Sequence, residues 1–218
     1  AGRDALHVLA SRGVLDIFIE TIKFNIGQPP SAVVLERLRK RVNLDAVGRY
    51  IPVNPNVLTL LSVLVAWGGI LPVWLSAAPP WLFIAASGVL DVLDGAVARS
   101  SGRASRRGAF IDSYLDRYTD AAYILYFWNY VDHLAAFLAL LGTFAISYAR
   151  CRGESLGVEV RGVGFMERGE RVLYLLAVSL VLEISPQLVN PLMYLYTLLV
   201  NSAAAYRGYA VFKKLKLS

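Results

Sequence analysis

Residues 91–116 read DVLDGAVARSSGRASRRGAFIDSYLD, and this stretch decides the predicted fold and most of the predicted chemistry. The segments around it are apolar enough to be buried in a bilayer, yet they carry four carboxylates: Asp91, Asp94, Asp112 and Asp116. A charged side chain at the centre of a bilayer costs about 3 kcal/mol or more on insertion scales. Four such groups close together therefore indicate a functional site.

The spacing of the four aspartates predicts a divalent-metal site. Asp91 and Asp94 stand three residues apart and Asp112 and Asp116 stand four apart, so on two helices each pair lies on one face. Carboxylates that converge from two helices favour a hard cation with oxygen ligands, Mg²⁺ or Mn²⁺.

The residues between the two aspartate pairs suit a phosphorylated ligand. Gly95 lets a ligand approach the backbone closely, Arg99 offers a planar fork for a diphosphate, and Gly108 opens the next helix. Two divalent cations can neutralise a diphosphate, and a carboxylate at the edge of the site can accept a proton from an attacking hydroxyl. The spacing alone therefore predicts metal-assisted phosphoryl chemistry and leaves the substrate open.

The composition predicts a polytopic membrane protein. The chain has 218 residues, of which 56% are hydrophobic and 17% charged, and its mean hydropathy is +0.51. A single cysteine, Cys151, rules out an intramolecular disulfide framework. Apolar runs near 20 residues predict six transmembrane helices, at about 57–77, 80–98, 108–130, 132–150, 170–187 and 189–212.

The distribution of basic residues predicts the orientation in the membrane. The connections at 78–79, 131–133 and 184–189 contain no Lys or Arg, whereas the opposite set of connections holds nearly all of them. By the positive-inside rule, both termini and the loops at 99–107 and 150–170 face the cytoplasm. This orientation places the four aspartates at the cytoplasmic ends of spans two and three, within reach of water-soluble substrates.

The sequence ahead of the first span divides into two parts. Residues 1–30 are predicted to be an N-terminal arm or the remnant of a soluble domain, and residues 31–218 the membrane domain. Residues 32–48 predict a basic amphipathic helix in the membrane interface, with a cytosolic connector helix as the alternative. The predicted fold class is thus an all-α integral membrane protein, with six transmembrane helices preceded by an interfacial amphipathic helix.

A resemblance to a known family extends these expectations. A pattern of eight fixed positions resembles the signature of the CDP-alcohol phosphotransferases, and the likeness spans residues 32–216. The eight residues are Asp91, Asp94, Gly95, Ala98, Arg99, Gly108, Asp112 and Asp116. It implies transfer of the lipid-bearing phosphate of a CDP-lipid to an alcohol, with release of CMP, usually by a homodimer. It also implies that the four aspartates hold two metal ions and that Asp116 is the general base. The residues implied to bind the cytidine diphosphate lipid are Thr59, Asp91, Gly95, Ala98, Arg99 and Gly108.

The second half of the chain carries the candidates for binding the acceptor alcohol. Several arginines near four carboxylates suggest an anionic acceptor, since Arg binds phosphate in a bidentate way. The alternative is that most of them are positive-inside charges facing lipid headgroups. The candidates are Ser147, Arg150 and Arg152 after span four, Arg168 and Arg171 before span five, and Arg207 inside the last span.

The segments SYARCRGESLG and VGFMERGERV resemble the phosphatidylinositol-phosphate and archaetidylinositol-phosphate synthase branch of the family. That resemblance implies inositol 1-phosphate as the acceptor and either CDP-diacylglycerol or CDP-archaeol as the donor. The same chemistry with another acceptor, such as glycerol 3-phosphate, is one alternative, and a cation-coupled membrane transporter is a more remote one. The lipid bilayer is an expected partner, and nucleic acid is not.

Overall fold

The computed structural model describes residues 48, 50–102, 105–160 and 162–216, and every regular element in these ranges is helical. Six helices longer than ten residues cover most of this part of the chain. The elements are α1 Pro55–Gly68, α2 Ile70–Trp74, α3 Pro80–Ser100, α4 Arg106–Leu125, α5 His133–Ser155, α6 Arg168–Ile184, a 3₁₀ turn Pro186–Leu188 and α7 Val189–Leu215.

The predicted all-helical membrane fold is confirmed in its main features. Four helical stretches are long and apolar enough to cross a membrane: Pro55–Trp74, Pro80–Ser100, His133–Ser155 and Pro186–Leu215. Two further predicted spans coincide with α4 and α6, but α4 carries six charged residues and α6 has only 17 residues. The count of six spans therefore stays a prediction. Residues 1–30 and, apart from Gly48, the predicted interfacial helix lie outside the described residues.

Short polar side chains fix the starts of two helices. Asn54 precedes α1 and accepts a 3.0 Å hydrogen bond from the amide of Asn56. Ser105 does the same for Gly108 at the start of α4, at 3.0 Å. Such caps satisfy amides that have no partner within the helix, so they define where each helix begins.

Helices α5 and α7 pack closely along their length. A Cβ atom at Gly142 would lie 2.8 Å from Val200 Cγ2, so only glycine permits this approach. Asn201 donates from Nδ2 to the carbonyl of Leu138 at 3.0 Å. Small residues with interhelical hydrogen bonds are a common way to join helices within a bilayer, where lipid is as apolar as the side chains.

Helices α1 and α2 are joined to α4 by two tryptophans. Trp67 donates from Nε1 to the carbonyl of Tyr118 at 3.1 Å, and Trp74 donates to the carbonyl of Leu125 at 2.8 Å. These bonds hold α1 and α4 side by side. As a result, the first turns of both helices meet the last turns of α3, where the predicted site lies.

Candidate active site

A cavity of about 160 Å³ opens where α1, α3 and α4 meet. Five residues predicted to hold the nucleotide line it: Thr59, Gly95, Ala98, Arg99 and Gly108. Two of the aspartates, Asp94 and Asp112, also line the cavity, together with Pro55, Asn56, Ser105 and Ala109. The structure therefore brings together residues that are separated by about 50 positions in the sequence.

Thr59 connects α1 to the aspartates of α3. Its hydroxyl donates to Asp94 Oδ2 at 2.6 Å and lies 3.1 Å from the carbonyl of Pro55. Both side chains are buried, with Thr59 5% and Asp94 6% exposed. A short hydrogen bond to a carboxylate is a strong one, so Thr59 orients Asp94.

The two glycines of the motif keep the cavity open. A Cβ atom at Gly95 would lie 2.9 Å from Arg99 Nη1, and a Cβ at Gly108 would lie 3.2 Å from Ser105 Oγ. Neither glycine has a positive φ angle. Glycine is thus needed at both positions because it has no side chain, and the space left allows a ligand to contact the backbone.

Three of the four predicted metal ligands form one cluster. Asp91, Asp112 and Asp116 each offer a carboxylate oxygen, and these oxygens lie within 4.8 Å of one another. All three side chains are partly buried. Oxygen donors on rigid helices are the ligands that Mg²⁺ and Mn²⁺ prefer, so these residues fit a divalent cation. Asp94 stands beside this cluster, held by Thr59.

Arg168 lies against the same cluster, although it comes from the start of α6. Its Nη1 donates to Asp91 Oδ2 at 2.6 Å and its Nη2 lies 3.0 Å from Asp116 Oδ1. Burial lowers the pKa of Arg168, but the carboxylates of Asp116, Asp91 and Asp120 outweigh burial and raise the pKa overall. Arg168 is therefore a permanent cation placed where the carboxylates require positive charge.

Two other predicted acceptor residues are buried and bonded within the protein. Arg171 is 2% exposed and donates to Asp120 Oδ2 at 2.9 Å and to the carbonyl of Met166 at 2.9 Å. Arg207 is 1% exposed and donates to Glu167 Oε1 at 2.6 Å and to the carbonyl of Val163 at 3.0 Å. Both arginines thus fix the segment that leads into α6.

The three predicted residues on α5 make contacts only with nearby turns of the same helix among the contacts described. Ser147 donates to the carbonyl of Thr143 at 3.3 Å. Arg150 pairs with Glu154 at 3.1 Å, and Arg152 lies 3.4 Å from Ser155 Oγ. Arg150 and Arg152 are more open to solvent than Arg171 and Arg207, so they are easier to recruit to a soluble ligand.

The segment before α6 contains an unusual backbone conformation at Met166 and a helix cap formed by Glu170. Met166 adopts a positive φ of 56°, which is uncommon for a residue other than glycine. Its carbonyl accepts the bond from Arg171. Glu170 then accepts a 2.9 Å hydrogen bond from the amide of Glu167. Glu170 therefore caps α6, while Glu167 is the carboxylate that engages Arg207.

The sequence interpretation missed Asp120, which is 3% exposed and contacts Arg168 and Arg171. A signal was available. Asp120 follows Asp116 by four residues, as Asp116 follows Asp112, so it continues the same face of α4. Ser105, which lines the cavity and caps α4, was also missed, and the helix-start preference for serine would have indicated it.

Comparison with known proteins identifies the family. The sequence pattern described as CDP-alcohol phosphatidyltransferase matches residues 52–203, more than half of the chain. The chain belongs to this family. The resemblance inferred from the aspartate motif is confirmed, and with it the predicted class of enzyme; the family also disfavours the transporter alternative.

Two curated relatives are archaetidylinositol phosphate synthases. The chain is 47% identical over 128 residues to the synthase of Aeropyrum pernix, covering 57% of this chain and 66% of that protein. It is 32% identical over 155 residues to the synthase of Pyrococcus horikoshii, covering 67% of this chain and 82% of that protein. The first match thus spans slightly less than two thirds of its relative.

The fold resembles that of solved structures of phosphatidylinositol phosphate synthase from Mycobacterium tuberculosis. The structure of that protein with CDP-DAG bound has a TM-score of 0.67 and 24% identity, covering 79% of this chain and 94% of that chain. Its complex with manganese and citrate also gives a TM-score of 0.67 and 24% identity, over 78% of this chain and 88% of that chain. At this identity the likeness supports the fold.

Proposed function

We propose that this protein transfers the lipid-bearing phosphate of a CDP-lipid to inositol 1-phosphate and releases CMP. One observation carries the proposal. The cavity lined by Thr59, Gly95, Ala98 and Gly108 opens directly beside the carboxylates of Asp94 and Asp112. A cytidine diphosphate group bound in this cavity has its phosphates next to the carboxylate cluster.

The residues of the chain divide the reaction between them. Asp116 takes the proton of the acceptor hydroxyl, whose oxygen then attacks the phosphorus on the lipid side of the diphosphate. A new P–O bond forms to the acceptor, and the P–O bond to CMP breaks. Thr59 holds Asp94, and Arg99 lines the nucleotide cavity. Holding both reactants at one place converts a bimolecular reaction into an effectively unimolecular one.

Asp91, Asp94, Asp112 and Asp116 would hold the divalent cations, two Mg²⁺ or Mn²⁺ ions in our proposal. When bound, such ions neutralise the diphosphate and stabilise the negative charge on departing CMP. The clustered oxygens of Asp91, Asp112 and Asp116 support this assignment.

The acceptor phosphate is assigned to the cationic side of the site. Arg168 reaches the carboxylate cluster from α6, and Arg171 and Arg207 lie in the same part of the fold. Ser147, Arg150 and Arg152 complete the proposed pocket. Guanidinium groups bind phosphate in a bidentate way, and two curated relatives are named archaetidylinositol phosphate synthases. The relatives therefore favour inositol 1-phosphate over glycerol 3-phosphate.

We also propose six membrane spans, with the site facing the cytoplasm, and assembly as a homodimer. Most basic residues of the described chain lie at the ends of α3, α5 and α7 and at the starts of α4 and α6. The positive-inside rule places this end in the cytoplasm. We further propose that residues 32–48 form an interfacial helix and that residues 1–30 are an N-terminal arm or the remnant of a soluble domain.

The test is CMP release by purified protein in detergent with CDP-archaeol or CDP-diacylglycerol, Mg²⁺ and a panel of acceptors. The panel contains inositol 1-phosphate, glycerol 3-phosphate, serine and free inositol. We expect turnover with inositol 1-phosphate, its loss on chelation, and recovery on adding Mn²⁺ or Mg²⁺. Turnover with glycerol 3-phosphate alone would show that it, and not inositol 1-phosphate, is the acceptor. Turnover that is unchanged by chelators would contradict the metal assignment.

A further inference from the structure

Asp120 is the one acidic residue of α4 beyond the motif. It lies one turn after Asp116 on the same face and is 3% exposed. A buried carboxylate costs free energy unless it is paired, so its surroundings indicate what it does.

Three guanidinium groups surround this single carboxylate. Arg171 Nη2 donates to Asp120 Oδ2 at 2.9 Å. Arg168 Nε lies 3.6 Å from Asp120 Oδ1, and Arg117 Nε lies 3.9 Å from Oδ2. In the described part of the chain, the Nε atoms of all three arginines are buried without a hydrogen-bond partner. Asp120 therefore lies just beyond hydrogen-bond distance of two buried N–H donors, Arg168 Nε and Arg117 Nε, that have no hydrogen-bond partner.

Arg168 is divided between two sets of carboxylates. Its two Nη atoms contact Asp91 and Asp116, while its Nε points toward Asp120. The first two are members of the cluster that fits a divalent cation. A guanidinium and a doubly charged cation repel each other and compete for the same oxygens. Binding of the cation therefore favours a shift of Arg168 away from Asp91 and Asp116.

We propose that Asp120 is a positioning residue that receives Arg168 when a divalent cation takes over Asp91 and Asp116. A shift of less than 1 Å brings Arg168 Nε within ordinary hydrogen-bond distance of Asp120 Oδ1, given the present 3.6 Å. The Nη atoms of Arg168 are then released for the acceptor phosphate. This inference rests on the proposed function for the divalent cation at the cluster and for the identity of that phosphate.

The shift links two binding events. If the cation frees Arg168, it increases the affinity of the site for a phosphorylated acceptor, and the acceptor increases the affinity for the cation by the same factor. Asp120 lowers the free-energy cost of moving Arg168. When Arg168 leaves Asp91 and Asp116, it still has a carboxylate partner in Asp120. Removing the charge of Asp120 should therefore hold Arg168 on the cluster and weaken cation binding.

The test measures Mn²⁺ binding to the full chain in detergent, without substrates, by the electron paramagnetic resonance signal of free Mn²⁺. Four proteins form a cycle: wild type, Asp120→Asn, Arg168→Gln and the double variant. We expect Arg168→Gln to bind Mn²⁺ about 5-fold more tightly or better, and Asp120→Asn to bind it about 5-fold more weakly. In the Arg168→Gln background, Asp120→Asn should have little further effect.

Glu183→Gln is the matched control, since Glu183 is an exposed carboxylate at the other end of α6. It should leave Mn²⁺ binding unchanged. Equal weakening by Asp120→Asn in both backgrounds would mean that Asp120 acts as a distant charge, and the proposal would be wrong. If Asp120→Asn fails to fold, the Arg168→Gln variant provides the test by itself. Unchanged or weaker Mn²⁺ binding by this variant would show that Arg168 does not compete with the cation, and the proposal would be wrong.

These outcomes are independent of the acceptor. Mn²⁺ binding is measured with no alcohol present, so a wrong acceptor assignment changes only the turnover panel. A second measurement then follows inorganic phosphate binding with and without Mn²⁺. Wild type should bind phosphate more tightly with Mn²⁺, and Asp120→Asn should lose most of that increase. Equal increases in both proteins would contradict a positioning role.

Discussion

Glu167 accepts a 2.6 Å hydrogen bond from Arg207 across 40 positions of sequence. This bond ties the residue before α6 to the last third of α7. The Arg207 side chain is 2% exposed and the Glu167 side chain 27%. Because Arg168 is the next residue, the same bond places the guanidinium that reaches the aspartate cluster.

Arg207→Ala should therefore affect both stability and acceptor binding. Arg207→Ala leaves the partly exposed Glu167 without its donor, and losing a hydrogen bond to a charged group costs about 1.5–3 kcal/mol, so the thermal midpoint should fall. The Michaelis constant for inositol phosphate should rise far more than that for the CDP-lipid. Lys213→Ala, at the exposed end of α7, is the control. A rise confined to the lipid constant would show that Arg207 does not serve the acceptor side.

Thr59→Val removes the hydroxyl that orients Asp94 while keeping the shape of the side chain. A hydrogen bond to a charged group contributes about 1.5–3 kcal/mol, so the affinity for CDP-lipid with metal should fall roughly tenfold or more. Thr59→Ser keeps the hydroxyl and should retain most of the affinity. Isothermal titration with the CDP-lipid distinguishes the two variants. Equal losses would point to packing of the methyl group instead.

Asp116→Asn should separate binding from turnover. The amide cannot accept the acceptor proton, so kcat should fall by about 10²- to 10⁴-fold. Binding of CDP-lipid should change much less, because the nucleotide cavity is lined by Asp94 and Asp112 rather than Asp116. The comparison is Glu159→Gln, an exposed carboxylate of the loop after α5. If binding and kcat fell together, the role of Asp116 as base would be refuted.

Gly142→Ala should destabilise the contact between α5 and α7. The new Cβ would lie 2.8 Å from Val200 Cγ2 and 2.9 Å from Asn201 Nδ2, and overpacking of this kind costs about 1–3 kcal/mol. Gly88→Ala is the matched control, because a Cβ there meets nothing within 4 Å. The control should be neutral or slightly stabilising, since glycine is unfavourable within a helix. Thermal unfolding in detergent compares them.

The aspartate motif was predictable because its geometry is local. Spacings of three and four place the carboxylates on one face of each helix whatever surrounds them. The structure accordingly brings Asp91, Asp112 and Asp116 together. The cavity residues Gly95 and Ala98 follow for the same reason, as they lie on the same helix as Asp91.

The partners of the arginines were not predictable from spacing. Arg168 and Asp91 are 77 residues apart, and the path between them includes the segment before α6 with its left-handed Met166. Where that segment places each guanidinium depends on tertiary packing. The sequence therefore indicated an anionic acceptor from the number of arginines, while the pairing of Arg171 with Asp120 needed the fold.

The two indole bonds from Trp67 and Trp74 set the register of the first span. The two donors, Trp67 and Trp74, are seven residues apart, and so are the two acceptors, Tyr118 and Leu125. This spacing is about two helical turns, so both bonds define the same register between the helices. A slip by one turn would move Thr59 by about 5.4 Å along α4 and out of reach of Asp94. Two residues toward the far end of this helical stretch, Pro55–Trp74, thus set the position of Thr59 near its beginning.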